Sequence, residues 1–147
     1  MHHIYVMNAD GSSPTQITNS KLDDTEPAWS RDGKRIAFVR TIEGDKEIYV
    51  VNADSSNETR LTFNSGVDMS PNWSPDGRIF FTSNRDGRGE IYVMNADVSK
   101  FTTTGAKSPA WSSDGSKVAF ISLSFLYQSP VFVADPDGGH VRMIAKI

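Results

Sequence analysis

Residues 4–10 read Ile-Tyr-Val-Met-Asn-Ala-Asp, and the chain repeats this apolar run and its acidic end three more times. Close copies stand at residues 48–54 and 91–97, and a divergent copy, Val-Phe-Val-Ala-Asp-Pro-Asp, stands at residues 131–137. The closing aspartates of successive copies are 44, 43 and 40 residues apart. A repeat of about 40 to 45 residues, built from short apolar runs and Gly/Asp turns, is the period of a four-stranded propeller blade. The pattern therefore predicts an all-β repeat protein.

A second motif, Pro-x-Trp-Ser-x-Asp-Gly, alternates with the first and begins at Pro27, Pro71 and Pro109. Asp-Gly between two β-rich runs favours a hairpin turn, because Gly accepts a positive φ and Asp hydrogen-bonds to nearby backbone. A large aromatic side chain at one fixed place in each unit can fill the gap between neighbouring twisted sheets. The motif thus predicts a set of structural residues: Trp29, Trp73, Trp111, Asp32, Gly33, Asp76, Gly77, Asp114 and Gly115.

The two motifs together give four strands per unit, a to d. Strand a is expected around the proline and tryptophan, strand b of the first unit at Arg35–Val39, and strand d of the second at Lys100–Thr103. The predicted fold is all-β, a single partial propeller over residues 1–147. It has about three full blades of four antiparallel strands (residues 27–63, 71–103 and 109–145) and an N-terminal half-blade of strands c and d (residues 4–18).

The strand count does not close a ring, since a propeller usually needs at least four blades. Two explanations are open: the chain is a fragment of a longer array, or two copies assemble. The end blades of a repeat array expose apolar faces that must be covered. We therefore expect self-association, with a homodimer as the simplest form.

The bulk composition excludes several classes of function. A net charge of −3 and a pI near 5.5 argue against a nucleic-acid or anionic-membrane surface, which favours a basic patch. The absence of cysteine removes disulfides and thiolate chemistry. The sequence shows no membrane-spanning apolar run and no signal peptide. Nucleic-acid partners and membrane insertion are not expected, and the compartment is left open.

The two motifs, with Ile-Ala-Phe between them and Leu-Thr or Ile-Thr after them, resemble the TolB-type, WD-repeat-like propeller repeat. The resemblance runs from Ile4 to about Ile144. It implies a non-catalytic scaffold: either the periplasmic partner of a peptidoglycan-associated lipoprotein, or the substrate-gating propeller of a serine peptidase. A periplasmic or other extracytoplasmic location follows only from this resemblance. Val98 and Pro136 depart from the repeat.

The sequence carries no nucleophile elbow, zinc-protease helix or phosphate-binding loop, so no catalytic residue and no cofactor are predicted. Asp24 and Asp68 are equivalent by register and precede strand a, near the central channel. Carboxylates at such a mouth can hold Ca²⁺, which takes six to eight oxygen ligands. The plainer alternative is that each aspartate caps a turn or pairs with a neighbouring blade.

Binding residues are sought on the loops, because variable loops on a rigid frame usually carry recognition. The b–c and d–a loops share one face of the ring and vary, with Arg40–Lys46 among them. Arg85 and Arg88 on that face are predicted to offer carboxylate-binding forks. Phe125, Leu126 and Tyr127 form an apolar triplet that either anchors a partner or packs against the next blade or subunit.

The function predicted from these residues is a non-catalytic propeller scaffold that binds another protein. Two alternatives stay open: the non-catalytic propeller segment of a serine peptidase or other hydrolase, and a binder of Ca²⁺ or a small molecule at the channel mouth.

Overall fold

The computed structural model describes residues 1–94, 98–102, 105–123 and 129–146, and for residues 98–100 it describes the backbone alone. These residues contain no helix, and therefore none that is long and apolar enough to cross a membrane. The strands are β1 (Tyr5–Val6), β2 (Thr15–Gln16), β3 (Asp23–Trp29), β4 (Arg35–Ile42), β5 (Asp45–Asn52), β6 (Thr59–Arg60), β7 (Asp68–Trp73), β8 (Ile79–Ser83), β9 (Glu90–Met94), β10 (Val98–Lys100), β11 (Ala106–Trp111), β12 (Val118–Ser122), β13 (Val131–Ala134) and β14 (Arg142–Ala145).

The strands form four antiparallel sheets, and in each sheet the spatial order follows the chain. β1 and β2 form a two-stranded half-blade. β3–β6, β7–β10 and β11–β14 form the first, second and third blades. The predicted fold class is confirmed: the chain is all-β and builds three four-stranded propeller blades and a half-blade.

One predicted loop is instead a tight hairpin. We expected a variable loop over Arg40–Lys46, but β4 and β5 stay paired as far as Ile42 opposite Asp45. A two-residue turn, Glu43-Gly44, joins them, with φ of 51° and 99°. Two successive positive φ angles characterise the type I′ turn, whose twist matches that of paired strands. The prediction was wrong because Glu-Gly carries a weaker turn signal than Asp-Gly or Asn-Gly.

The innermost strand of each blade begins earlier than predicted and contains a β-bulge. In all three blades the register shifts beside the motif proline. The residue before that proline has a positive φ in each blade: Glu26 (53°), Ser70 (54°) and Ser108 (56°). A left-handed backbone at a residue other than glycine is uncommon. Because it recurs at the same motif position in all three blades, the bulge is a regular feature of the repeat.

The bulges turn backbone N–H groups toward the neighbouring blade. The Ser70 N–H donates to Oε2 of Glu26 in the first blade at 2.7 Å. The Ser108 N–H donates to Oγ1 of Thr82 in the second blade at 3.0 Å. Donors that the bulge takes out of their own ladder thus link adjacent blades. This link was not predicted from the sequence.

The hydrophobic core lies between the sheets, because apolar side chains alternate between the two faces of each blade. Each junction between adjacent sheets holds one buried cluster, the half-blade junction first: Ile4, Ile17, Ile36, Phe38 and Val51; then Val39, Ile48, Trp73, Phe81 and Tyr92; then Phe80, Ile91, Val118, Phe120 and Ala134. The apolar face of each blade is therefore buried by the neighbouring blade.

The three motif tryptophans show this dependence. Trp73 is 8% exposed, and its Nε1 donates to the carbonyl of Ala28 in the preceding blade at 3.1 Å. Trp111 is half-buried and packs edge-on against Phe80, with 4.9 Å between ring centroids. Trp29 is 48% exposed. This differs from the core position predicted for Trp29, because the half-blade has two described strands and neither lies against β3.

The Ser-x-Asp-Gly turns are stabilised from within. The Ser30 hydroxyl donates to Asp32 at 2.6 Å and accepts the Arg35 N–H at 2.9 Å. The Gly33 N–H donates to the Ser30 carbonyl at 2.9 Å. The Ser30 hydroxyl, and after it the Lys34 N–H, lower the pKa of the Asp32 carboxyl. The turns at Asp76-Gly77 and Asp114-Gly115 repeat this arrangement, and all three glycines have a positive φ.

Candidate interaction surfaces

An arginine fills the junction on the half-blade side of the first blade. Arg40 on β4 pairs with Asp24 on β3. Its Nε donates to Oδ1 of Asp24 at 2.6 Å and its Nη2 to Oδ2 at 3.0 Å, while Nη2 also donates to Glu58 at 3.1 Å. The Arg40 side chain is 7% exposed. Burial alone would lower the pKa of Arg40, but the hydrogen bonds to Asp24 and Glu58 outweigh burial and raise it.

The second blade builds the same kind of pair from a different position. Arg85, on the loop after β8, donates through Nη2 to both oxygens of Asp68, at 3.3 and 3.2 Å. Its Nε donates to the Ser83 hydroxyl at 3.0 Å. Arg85 was predicted to offer its guanidinium to a partner, but that group is occupied by a carboxylate of the same blade.

Asp24 and Asp68, the candidate calcium ligands, are therefore each bound by an arginine. Both lie within strands rather than in the loop ahead of them, and both side chains are fully buried. A neighbouring cation competes directly with a metal ion for the same oxygens. Among the described residues, no group of three or more His, Cys, Asp or Glu side chains is placed to hold a metal. The partner of each aspartate lies in its own blade, not the neighbouring one.

A second polar cluster, unforeseen from the sequence, holds strand d against strand c. The buried Glu47 accepts Nη2 of Arg60 at 2.6 Å and the Thr62 hydroxyl at 2.5 Å. The Ile48 N–H donates to the same hydroxyl at 2.9 Å. In the second blade Glu90, Thr102 and Ile91 repeat the last two contacts. Two sequence features could have predicted this cluster: the recurring Leu-Thr or Phe-Thr pair, and the Glu that precedes Ile-Tyr.

Arg60 also lies over Phe63, the most exposed Phe, Tyr or Trp among the described residues. The side chain of Phe63 is 73% exposed, and the Arg60 guanidinium carbon lies 4.8 Å from its ring centroid. Arg60 is held in place by Glu47 and by the Thr62 carbonyl, which accepts its Nε at 2.7 Å. Phe63 follows β6 on the face that carries the b–c and d–a loops, which we call the loop face.

Other groups on the loop face are apolar or cationic. Leu22 and Leu123 are exposed on it. Arg88 is exposed and makes no ion pair within the described part of the chain. The predicted triplet of Phe125, Leu126 and Tyr127 lies outside the described residues.

Comparison with known proteins identifies the repeat. A family model described as the TolB beta propeller domain matches residues 27–147. The chain belongs to this family. The TolB-type resemblance predicted from the motifs is therefore confirmed.

Two TolB structures share the fold over nearly the whole chain. TolB from Agrobacterium tumefaciens is 30% identical, with a TM-score of 0.87 over 99% of this chain and 57% of its own. TolB from Acinetobacter baumannii is 28% identical, with a TM-score of 0.85 over 98% of this chain and 38% of its own. Dipeptidyl-peptidase 5 of Porphyromonas gingivalis is 40% identical over 45 residues, which is 31% of this chain and 7% of the peptidase. This TolB-family chain thus spans only part of the length of each of these relatives.

Proposed function

We propose that this TolB-family propeller segment is a non-catalytic scaffold that binds another protein through its loop face. The observation that carries the proposal is the Phe63–Arg60 pair, an exposed aromatic ring under a guanidinium that is already held in place. Aromatic and arginine side chains are enriched among the residues that dominate protein–protein binding energy.

The pair is preorganised for recognition. Because Glu47 and the Thr62 carbonyl fix Arg60, little side-chain entropy remains to be lost when a partner covers it. Phe63 offers an apolar surface next to that fixed charge. Leu22 and Leu123 are further exposed apolar side chains on the same face, and Arg88 is an exposed cation there. A partner with an exposed apolar side chain for Phe63 and an acidic residue for Arg88 suits this surface.

The test is site-specific photo-cross-linking in the cells that make the protein. p-Benzoylphenylalanine replaces Phe63 in one variant and Ser113, an exposed residue of an a–b turn on the opposite face, in the other. We expect a discrete protein adduct at position 63 that is absent at position 113. Adding Arg60→Ala to the first variant should weaken the adduct, since it frees the ring from its fixed partner. Equal labelling at the two positions, or none at position 63, would refute the loop-face proposal.

A second candidate function is the propeller segment of a peptidase. It is favoured by the 45-residue match to dipeptidyl-peptidase 5. The size of the natural gene product tests this candidate. An immunoblot of the source cells that shows a polypeptide much larger than 16.2 kDa, with peptidase activity in that polypeptide, would support it. A natural product without a catalytic domain would exclude it.

We also propose that the isolated chain self-associates. Alternation along β12 and β13 places Ala119, Ile121, Val131 and Val133 on the face of the third blade that turns away from the second, and these residues are only half-buried. Light scattering behind a sizing column should give about twice 16.2 kDa. A monomeric mass at high concentration would contradict this.

A further inference from the structure

Every full blade carries a pair of aromatic rings at the same two positions. The pairs are Phe38 with Tyr49, Phe81 with Tyr92, and Phe120 with Phe132, with ring centroids 5.7, 6.0 and 6.0 Å apart. One ring comes from strand b and the other from strand c, and both face the preceding sheet. The three pairs are internal copies of one site.

In the first two blades a guanidinium covers these rings. The Arg40 guanidinium carbon lies 4.6 Å from the Tyr49 centroid and 5.3 Å from that of Phe38. Arg85 covers Tyr92 at 4.6 Å and Phe81 at 5.3 Å. The two arginines come from different sequence positions, yet their distances to the rings agree. The ring pair is thus a stacking platform for a planar group.

In its described residues the third blade keeps the ring pair but lacks the polar groups that accompany it in the second blade. Ala106, which pairs with Ser122 in the register where Asp68 pairs with Ser83, replaces the aspartate. Phe132 replaces the tyrosine whose hydroxyl, in the second blade, donates to Asp86 at 2.6 Å. No cation lies over Phe120 or Phe132 among the described residues, and the loop sequence after β12, residues 124–128, is Ser-Phe-Leu-Tyr-Gln.

A cavity of about 260 Å³ lies against this platform. Phe101 of the second blade and Phe120 and Phe132 of the third form its walls, the Ser122 and Thr102 side chains line it, and Val141 stands at an exposed part of its lining. An apolar cavity of about 150 Å³ is enough to bind benzene. The space therefore admits one or two fused aromatic rings.

We propose that this cavity is a binding site for an uncharged aromatic ring. Stacked and edge-on contacts with three phenylalanines favour such a ring. A cation occupies the two homologous sites beside a buried aspartate. It is disfavoured here, because no lining residue of the cavity carries a carboxylate to offset its lost hydration. The ring is either a small aromatic molecule or an aromatic side chain of a protein partner, and the two sources share one chemistry.

The experiment is a titration of the labelled chain with indole, followed by the backbone amide resonances in nitrogen–proton NMR spectra. We expect saturable shifts at Gly138 and Val141 and none at Gly77, which lies between the first and second blades. Methylguanidinium at the same concentrations should leave Gly138 unmoved. The blocked tripeptide Gly-Trp-Gly separates the sources: displacement of indole by it indicates a protein side chain, and binding of indole alone indicates a small molecule.

A cavity-filling variant gives the matched control. Val141→Trp places an indole at the cavity lining and should weaken indole binding by at least about tenfold. Arg142→Trp adds the same side chain one residue on, where strand alternation points it to the other face, and should leave binding unchanged. Shifts spread evenly over the three blades, indole binding unaffected by Val141→Trp, or preferred binding of methylguanidinium would each overturn the proposal. The wild-type shift map decides the question even if Val141→Trp fails to fold.

Discussion

Trp29 and Trp73 occupy the same place in two copies of one motif, yet the first is 48% exposed and the second 8%. Trp73 rests on the first blade, donates its indole N–H to the Ala28 carbonyl, and has the Arg35 guanidinium 4.6 Å from its ring centroid. The sheet that precedes Trp29 is the half-blade, whose two described strands correspond to the outer half of a blade and do not lie against β3. The same motif position therefore holds a core residue in one blade and a surface residue in the other.

The difference shows where the stabilisation of a propeller blade resides. Hydrogen-bond ladders and turns lie within a blade, but the apolar clusters lie between blades. The energetic value of a motif residue is thus set by the neighbouring sheet. Repeat proteins in general gain stability from intrinsic and nearest-neighbour terms, and the two tryptophans separate these terms within one chain.

The largest effect is expected from removing the buried tryptophan. Trp73→Ala should lower the free energy of unfolding by about 3–5 kcal/mol, the usual cost of truncating a large core aromatic. It also leaves the Ala28 carbonyl without its donor. Trp29→Ala removes the same atoms from a half-exposed position and should cost no more than about 1 kcal/mol. Urea unfolding followed by circular dichroism measures both.

The pair of variants is its own control, because the two residues share motif, strand and turn. Equal losses for Trp29→Ala and Trp73→Ala would mean that the tryptophan stabilises its own blade. A loss at Trp29 as large as that predicted for Trp73 would also follow if self-association covered it, and dilution of the sample distinguishes this case.

The polar junctions give a second comparison, between Asp24 in the first blade and Ala106 at its equivalent in the third. Asp24→Ala should destabilise the fold by an amount near the lower end of about 3–5 kcal/mol, because it leaves the buried Arg40 with Glu58 as its remaining partner. Chemical denaturation at pH 7 measures the loss. The double variant Asp24→Ala/Arg40→Met should recover part of it, since the third blade packs without either charge. A double variant less stable than Asp24→Ala would contradict this account.

The fold was predictable because it depends on local, repeated signals. The Asp-Gly turns and alternating apolar strands gave the fold class, as in the turn from Ser30 to Arg35. The hairpin at Glu43-Gly44 was missed because Glu is a poor marker of a positive φ. The bulge at Glu26 was missed because the proline that follows usually disfavours the α region at the residue before it.

The candidate surfaces were harder to predict, since they depend on which blade lies beside which. Arg85 was expected to be free because its partner, Asp68, lies 17 residues away in the sequence. Phe63 has no counterpart in the other units, so no repeat pattern points to it. The arginines over the ring pairs recur in space but not in sequence register, so they become evident only in the folded structure.

The smallest change in the free energy of unfolding is expected in the a–b turns, whose stability should not depend on the neighbouring blade. The pKa of Asp114 is lowered to about 2, first by the Ser112 hydroxyl and then by the N–H and hydroxyl of Ser116, all within one turn. A carboxyl whose pKa falls on folding adds stability above its unfolded pKa of 3.8, and this stability is lost as the pH falls through the folded pKa. Asp114→Asn should therefore be slightly less stable than wild type at pH 7, with the gap closing between about pH 4 and pH 2.

Asp32→Asn, in the blade that carries the exposed Trp29, tests whether the turn is independent of its surroundings. Its pKa is lowered first by the hydroxyl of Ser30 and then by the N–H of Lys34, and it lacks the second hydroxyl that Ser116 donates to Asp114. The loss for Asp32→Asn at pH 7 should therefore be no larger than the loss for Asp114→Asn, and it should likewise disappear at low pH. Thermal melts at stepped pH values measure both variants against wild type. A larger loss for Asp32→Asn than for Asp114→Asn, or losses that persist at pH 2, would show that the turns too draw their stability from the adjacent blade, because the turn at Asp32 has the fewer internal hydrogen bonds.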